Sequence, residues 1–122
     1  MSRQARRRSR YHDWVSEVRR AAEEFWTASD PATTAPIAVS ITYFFEGSSL
    51  DVDNMPKAIL DALKGLVYVD DSQITDLVCR KRDLTTELRI TNPSARLTEA
   101  LGEGSEFLFV VVRPSSETEV AT

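Results

Sequence analysis

Ile37, Val39, Ile41, Tyr43 and Phe45 alternate strictly with Ala38, Ser40, Thr42 and Phe44. That period of two predicts a strand over 37–45 with one face buried. Ahead of it, Tyr11, Trp14, Val15, Val18, Ala21, Ala22, Phe25 and Trp26 recur at helical spacing, which predicts a helix from about Ser9 or Tyr11 to Trp26. An aromatic stripe of this kind reads more readily as core or subunit interface than as a base-stacking surface. Asp30-Pro31 and Ala35-Pro36 mark a linker between the two. After the strand, Ala58, Ile59, Leu60, Ala62 and Leu63 form the apolar side of a short second helix. Asn54 or Asp53 serves as its N-cap, Pro56 sits in its first turn and Gly65 ends it. Leu66 to Val69 reads as a brief apolar strand, and Asp70-Asp71-Ser72 as a tight turn at its end. Ile74 to Arg82 reads as another strand, with Glu87 to Thr91 as its partner and Leu88 and Ile90 inward. Asn92-Pro93 then breaks the chain, Ser94 caps a helix through Leu101 that Gly102 stops, and Phe107 to Arg113 is a continuous apolar strand. The irregular alternation of elements predicts an α+β fold in two layers, a mixed β-sheet with helices packed mainly on one face.

After the first strand comes a dense group of acids. Asp51, Asp53, Asp61, Asp70 and Asp71 surround a helix that also carries Lys57 and Lys64. Like charges brought together raise each other's pKa and strain the fold, so the group persists most easily with a cation in it. Asp51 and Asp53 are two apart on extended chain, where side chains point to the same side and can share one ion. Lys57, in the first helical turn, opposes the helix dipole at a cost of about 0.3–1 kcal/mol. Its position therefore suits a role other than helix stability, and pairing with Asp61 four residues on would hold it in place. Taken singly, Asp51, Asp53, Asn54 and Asp70-Asp71-Ser72 read more readily as turn and cap residues. Jointly, with a lysine set against the dipole beside paired acids, they point to a magnesium-type site.

The stretch DVDNMPKAILDALKGLVYVDDSQITDL resembles the RusA family of Holliday junction resolvases. The family pattern is Asp-x-Asp-Asn, a lysine a few residues on, an Asp-Ala-Leu helix end and Asp-Asp-x-Gln. The match runs unbroken from Asp51 to Gln73 and reaches Lys81, about a quarter of the chain. The resemblance implies that Asp51, Asp53 and Asp71 ligate Mg2+, with Mn2+ as a possible substitute, and that Lys57 is the catalytic cation; Asp70 is a second-rank ligand. Members generally open with a strand bearing a Gly-x-Pro stretch, which does not precede Arg3 here, and an Arg-Pro often stands where this chain has Ser49-Leu50.

Length and charge refine the picture. A chain of 122 residues with 42% apolar content makes one domain with a real core. We expect a basic segment over 1–10, a nuclease domain over 11–114 and a loose tail over 115–122. No apolar run approaches a membrane span and no signal peptide is evident, so a cytoplasmic protein with no membrane partner is expected. Cys79 and His12 are the only residues of their types, which excludes an internal disulfide and a His/Cys zinc site; Cys79 reads as a packed strand residue. The net charge of −4 becomes −9 once the five arginines Arg3, Arg6, Arg7, Arg8 and Arg10 are set aside. An acidic body is a poor nucleic-acid surface, so those arginines and Arg80, Lys81 and Arg82 are the natural phosphate contacts. The arginine run reads equally well as a solvated tail. The expected activity is a Mg2+-dependent endonuclease that cuts branched DNA, four-way junctions above all, in recombination and repair. Paired cuts imply a symmetric homodimer. The alternatives are a nuclease selective for other branched DNA and a non-cleaving DNA-binding accessory protein of the same fold.

Overall fold

The alternating stretch is the central strand, β1 (Ile37–Phe45), of a three-stranded mixed sheet. The computed structural model of the chain describes residues 3–26, 31–47 and 55–116, the side chains of 3–12 and 25 excepted. β2 (Ile74–Asp83) runs parallel to β1 along one edge, and β3 (Phe107–Pro114) runs antiparallel along the other. Ile37, Val39, Ile41, Tyr43 and Phe45 are all buried, on the face that the period of two dictates. Two helices cover that face. α1 (Arg3–Phe25) contributes Trp14, whose ring meets Tyr43 edge to face at 6.0 Å, and α2 (Met55–Leu63) contributes Met55, Ala58, Ile59 and Leu63. The expected α+β arrangement, a mixed sheet with helices mainly on one face, is the one observed. Burying Met55 or Ile59 is worth about 1.5–3 kcal/mol each. That exceeds the penalty of Lys57 in the first turn, so packing holds α2 and the lysine is tolerated.

Arg19 fastens the two helices together. Its Nη1 donates to the carbonyls of Ala62 at 3.2 Å and Lys64 at 3.4 Å, and its Nε donates to Glu23 at 3.1 Å. Carbonyls at the end of α2 that have no partner within the helix are thus met by a side chain of α1.

Several expectations need correction. α1 starts at Arg3 rather than near Ser9, so the arginine segment is helical in its backbone. Leu66–Val69 is not a strand. Gly65, at φ +85°, reverses the chain directly after α2, and Leu66, Val67 and Tyr68 are all buried. Three consecutive buried residues do not suit a strand with one solvent face, because its side chains alternate between faces. They plug the core under the helix end instead. Glu87–Thr91 forms no strand, leaving Leu88 and Ile90 half-buried and the outer edge of β2 without a partner strand among the described residues. Cys79, expected as a packed strand residue, is exposed on this edge strand. α3 (Ala95–Glu103) has the expected Ser94 cap, donated to by Leu97 N at 3.1 Å, but it runs through Gly102 and stops at Gly104, φ +74°. Leu97, Ala100 and Leu101 of α3 are only half-buried. The N-cap of α2 and residues 117–122 lie outside the described residues.

At the far end of β2, Asp83 Oδ1 accepts from Thr85 N at 2.9 Å, Thr85 Oγ1 at 2.7 Å and Gly47 N at 3.1 Å. These bonds, those from Thr85 foremost, hold its carboxyl below the usual carboxylate range. A carboxyl depressed in the folded state adds stability above its unfolded pKa of about 3.9 and loses it as pH falls through the lower folded value. Asp83→Ala should therefore lower the melting temperature at pH 7 by a few degrees, with the gap to the unaltered protein closing below about pH 4. Melting curves across pH check this; a gap that does not depend on pH would remove the carboxylate as its cause.

Candidate functional site

β1 and β2 are parallel neighbours, so the chain must cross over between them, and α2 carries it back toward the start of β1. The last part of that return leg, 64–73, carries the candidate site. Asp70 caps a single 3-10 turn, Asp71–Gln73, as half of a reciprocal capping box: its side chain accepts from the turn and the Gln73 side chain answers back. The Ser72 N–H donates to Asp70 Oδ2 at 3.0 Å. Bonds from Ser72, with a smaller contribution from Lys64, hold the Asp70 carboxyl below its ordinary range.

Gln73 fixes this turn to the rest of the fold. Its Oε1 accepts from the N–H groups of Val69 and Asp70, both at 2.8 Å, while its Nε2 donates to the carbonyls of Thr33 at 2.8 Å and Ala35 at 2.9 Å. The segment before β1, expected as a mere linker, is thereby a strut. The Thr33 N–H also donates to the carbonyl of Val67 at 2.9 Å.

Tyr68 supports the acids from beneath. Its hydroxyl lies 2.8 Å from Asp71 Oδ1 and 3.0 Å from the Leu60 carbonyl. Burial first, then the bond to Asp71 and the negative charges of Asp71, Asp61 and Asp70, push its phenol well above the ordinary tyrosine value, so it stays protonated and can donate. From the other side, Lys64 Nζ lies 3.7 Å from Asp70 Oδ1 and 3.9 Å from Asp71 Oδ2. The lysine side chain is 42% exposed and each carboxylate 58%, so solvent screens both pairs and neither adds much stability. Their significance lies in position: a cation stands between two carboxylates.

The expected residues are brought together only in part. Asp70 and Asp71 are adjacent and open to solvent. Lys57 is exposed on the same side of α2 as Asp61 and Lys64, at spacings of four and three residues. It joins none of the ion pairs among the described residues; Lys64 is the lysine beside Asp70 and Asp71. Asp51 and Asp53 lie outside the described residues, as do the side chains of Arg3, Arg6, Arg7, Arg8 and Arg10. Among the described residues no group of three or more His, Cys, Asp or Glu side chains could hold a metal. Arg80, Lys81 and Arg82 are all exposed on β2 but do not form one patch. Arg80 Nη1 donates to Ser40 Oγ at 3.1 Å on one face of the sheet, whereas Lys81 Nζ lies 5.9 Å from the Phe45 ring on the other.

Tyr68 and the bracing role of Gln73 escaped the residue patterns, because both act through contacts with segments remote along the chain. The Asp-Asp-x-Gln spacing was the available signal for Gln73, since a glutamine three residues after an aspartate is the mark of a capping box. A separate groove of about 590 Å3 lies among α1, β3 and the 33–37 segment, lined by groups such as Val18, Trp26, Leu108 and Val112. Its walls are mostly apolar, with Arg96 and Arg113 also lining it.

A family model described as "Endodeoxyribonuclease RusA" matches residues 2–91. Neither curated proteins nor solved structures give a match.

Gln73→Glu should destabilise the protein by roughly 1–3 kcal/mol, because it keeps the one oxygen that accepts from Val69 and Asp70 but replaces the two N–H donors with an oxygen set against the carbonyls of Thr33 and Ala35. Urea unfolding measures this. Unchanged stability would mean that the strut does not hold the turn.

Proposed function

Because the chain belongs to the RusA endodeoxyribonuclease family, we propose that it is a Mg2+-dependent nuclease that resolves four-way junctions as a homodimer. The observation that carries the metal-dependent reading is the locked turn that holds Asp70 and Asp71 open to solvent with Lys64 Nζ between them. A place where an ammonium group sits between two carboxylates is one where a metal cation is also stable, and carboxylate oxygens are the hard donors that Mg2+ takes. Asp71 provides the ligand on this side of the site, with Asp70 beside it. Asp51 and Asp53, which the family pattern pairs with Asp71, complete the set. Bound Mg2+ would activate the attacking water and neutralise charge on the scissile phosphate. Mn2+ is a plausible substitute.

Lys57 supplies a fixed positive charge to the scissile phosphate from the first turn of α2. Arg80, Lys81 and Arg82, with the arginines at the start of α1, counter the negative charge of the body and contact phosphates at a distance from the cut. Cutting both strands symmetrically needs two matched sites, which a two-fold dimer provides. Recombination and repair are the processes that consume such an activity.

Single-turnover cleavage of a radiolabelled four-way junction, measured beside melting curves, tests this reading. Asp71→Asn should abolish cleavage while leaving the melting temperature and junction binding largely intact. Lys57→Met should slow cleavage by roughly two orders of magnitude, the scale of losing one electrostatic donor, without loss of stability. Asp71→Asn cutting at the normal rate in excess Mg2+ would promote Asp70 in its place. A Lys57→Met protein that loses stability but little rate would make that lysine structural.

A further inference from the structure

We propose that Tyr68 is a positioning residue for Asp71, its buried hydroxyl holding Oδ1 so that Oδ2 is presented to the cation. The inference rests on the reading of Asp71 as a metal ligand and extends it to a residue with no ligand atom of its own.

Tyr68 is completely buried and packs within the core cluster. Its backbone is fixed as well: it bridges to Thr33 and to Lys64, and its carbonyl accepts from Gly65 N at 2.7 Å. The phenol has one proton and two oxygens within reach, Leu60 O at 3.0 Å and Asp71 Oδ1 at 2.8 Å. Leu60 O already accepts from Lys64 N at 2.9 Å. Asp71 offers the nearer and charged acceptor, so the proton goes there. Asp71 itself is more than half exposed, and no apolar packing would hold such a side chain in one rotamer. The bond from a rigid core residue does so. It engages one oxygen and leaves the other, Oδ2, on the side where Lys64 Nζ stands at 3.9 Å. Hydrogen bonds that orient a ligating carboxylate typically contribute 10–100-fold in metal affinity.

A tyrosine that merely filled the core would be replaced by phenylalanine without consequence for metal, since only the hydroxyl is removed. The test is titration of the full chain with Mn2+, free ion being followed by its electron paramagnetic resonance signal, for the unaltered protein, Tyr68→Phe and Asp71→Asn. We expect Tyr68→Phe to weaken Mn2+ binding about tenfold or more, with the metal-free melting temperature within a few degrees of normal. The Mg2+ concentration for half-maximal cleavage should rise in parallel, and saturating Mg2+ should restore most of the rate. Unchanged Mn2+ affinity in Tyr68→Phe, with Asp71→Asn impaired, overturns the positioning role alone. Unchanged affinity in Asp71→Asn overturns the ligand reading and this inference with it. A collapse of the Tyr68→Phe melting temperature would make the hydroxyl a structural bond and also overturn the proposal.

Discussion

With β2 on one edge and β3 on the other, β1 has its backbone paired on both sides, and its buried face anchors α1 and α2. Because β1 and β2 are parallel, a hairpin cannot join them, and the chain must come back along α2 before β2 can begin. Once α2 is seated by Met55, Ala58, Ile59 and Leu63, residues 64–73 have to return from its end to the start of β2. Lys64, Tyr68, Asp70, Asp71 and Gln73 all lie on that return leg. The candidate site is thus a consequence of strand order as much as of its own side chains.

Two devices keep the return leg rigid while its acids stay in water. Gln73 meets four backbone groups and ties the turn to the segment before β1, and Tyr68 plugs the core while its hydroxyl reaches up to Asp71. Neither needs the acids to be buried, which would be costly for charges without full compensation. Lys64 relieves repulsion between the neighbouring carboxylates at a distance and exposure where the pairing is weak. A loosely held ammonium group of this kind can yield its place to a metal ion.

Those elements whose side-chain period matched their environment were legible in the residues alone. β1 alternates and is buried on alternate residues; α2 and β3 lie where their apolar patterns put them. Errors arose where a pattern was short or a contact remote. Leu66–Val69 is apolar enough for a strand, yet the reversal at Gly65 turns it into a core plug. Glu87–Thr91 alternates, but alternation cannot reveal that no neighbouring strand among the described residues receives it. For the site, Asp70, Asp71 and Gln73 were visible as a motif, and the capping box gives that motif its physical cause. Lys64 stands beside Asp70 and Asp71 because the chain doubles back behind Gly65, a fold-level fact that helical spacing does not encode. Arg80, Lys81 and Arg82 are contiguous in sequence and divided in space, since successive strand residues face opposite ways.

Cleavage itself is the most direct measurement of whether this turn belongs to a working nuclease. The protein would be incubated with end-labelled four-way, forked and linear DNA, with Mg2+ or with a chelator, and the cut positions mapped on each strand. Paired cuts placed symmetrically across the four-way junction, in Mg2+ alone and with linear DNA spared, are the predicted result. Tight junction binding without any cut in Mg2+ would contradict it and leave a DNA-binding protein of the same fold.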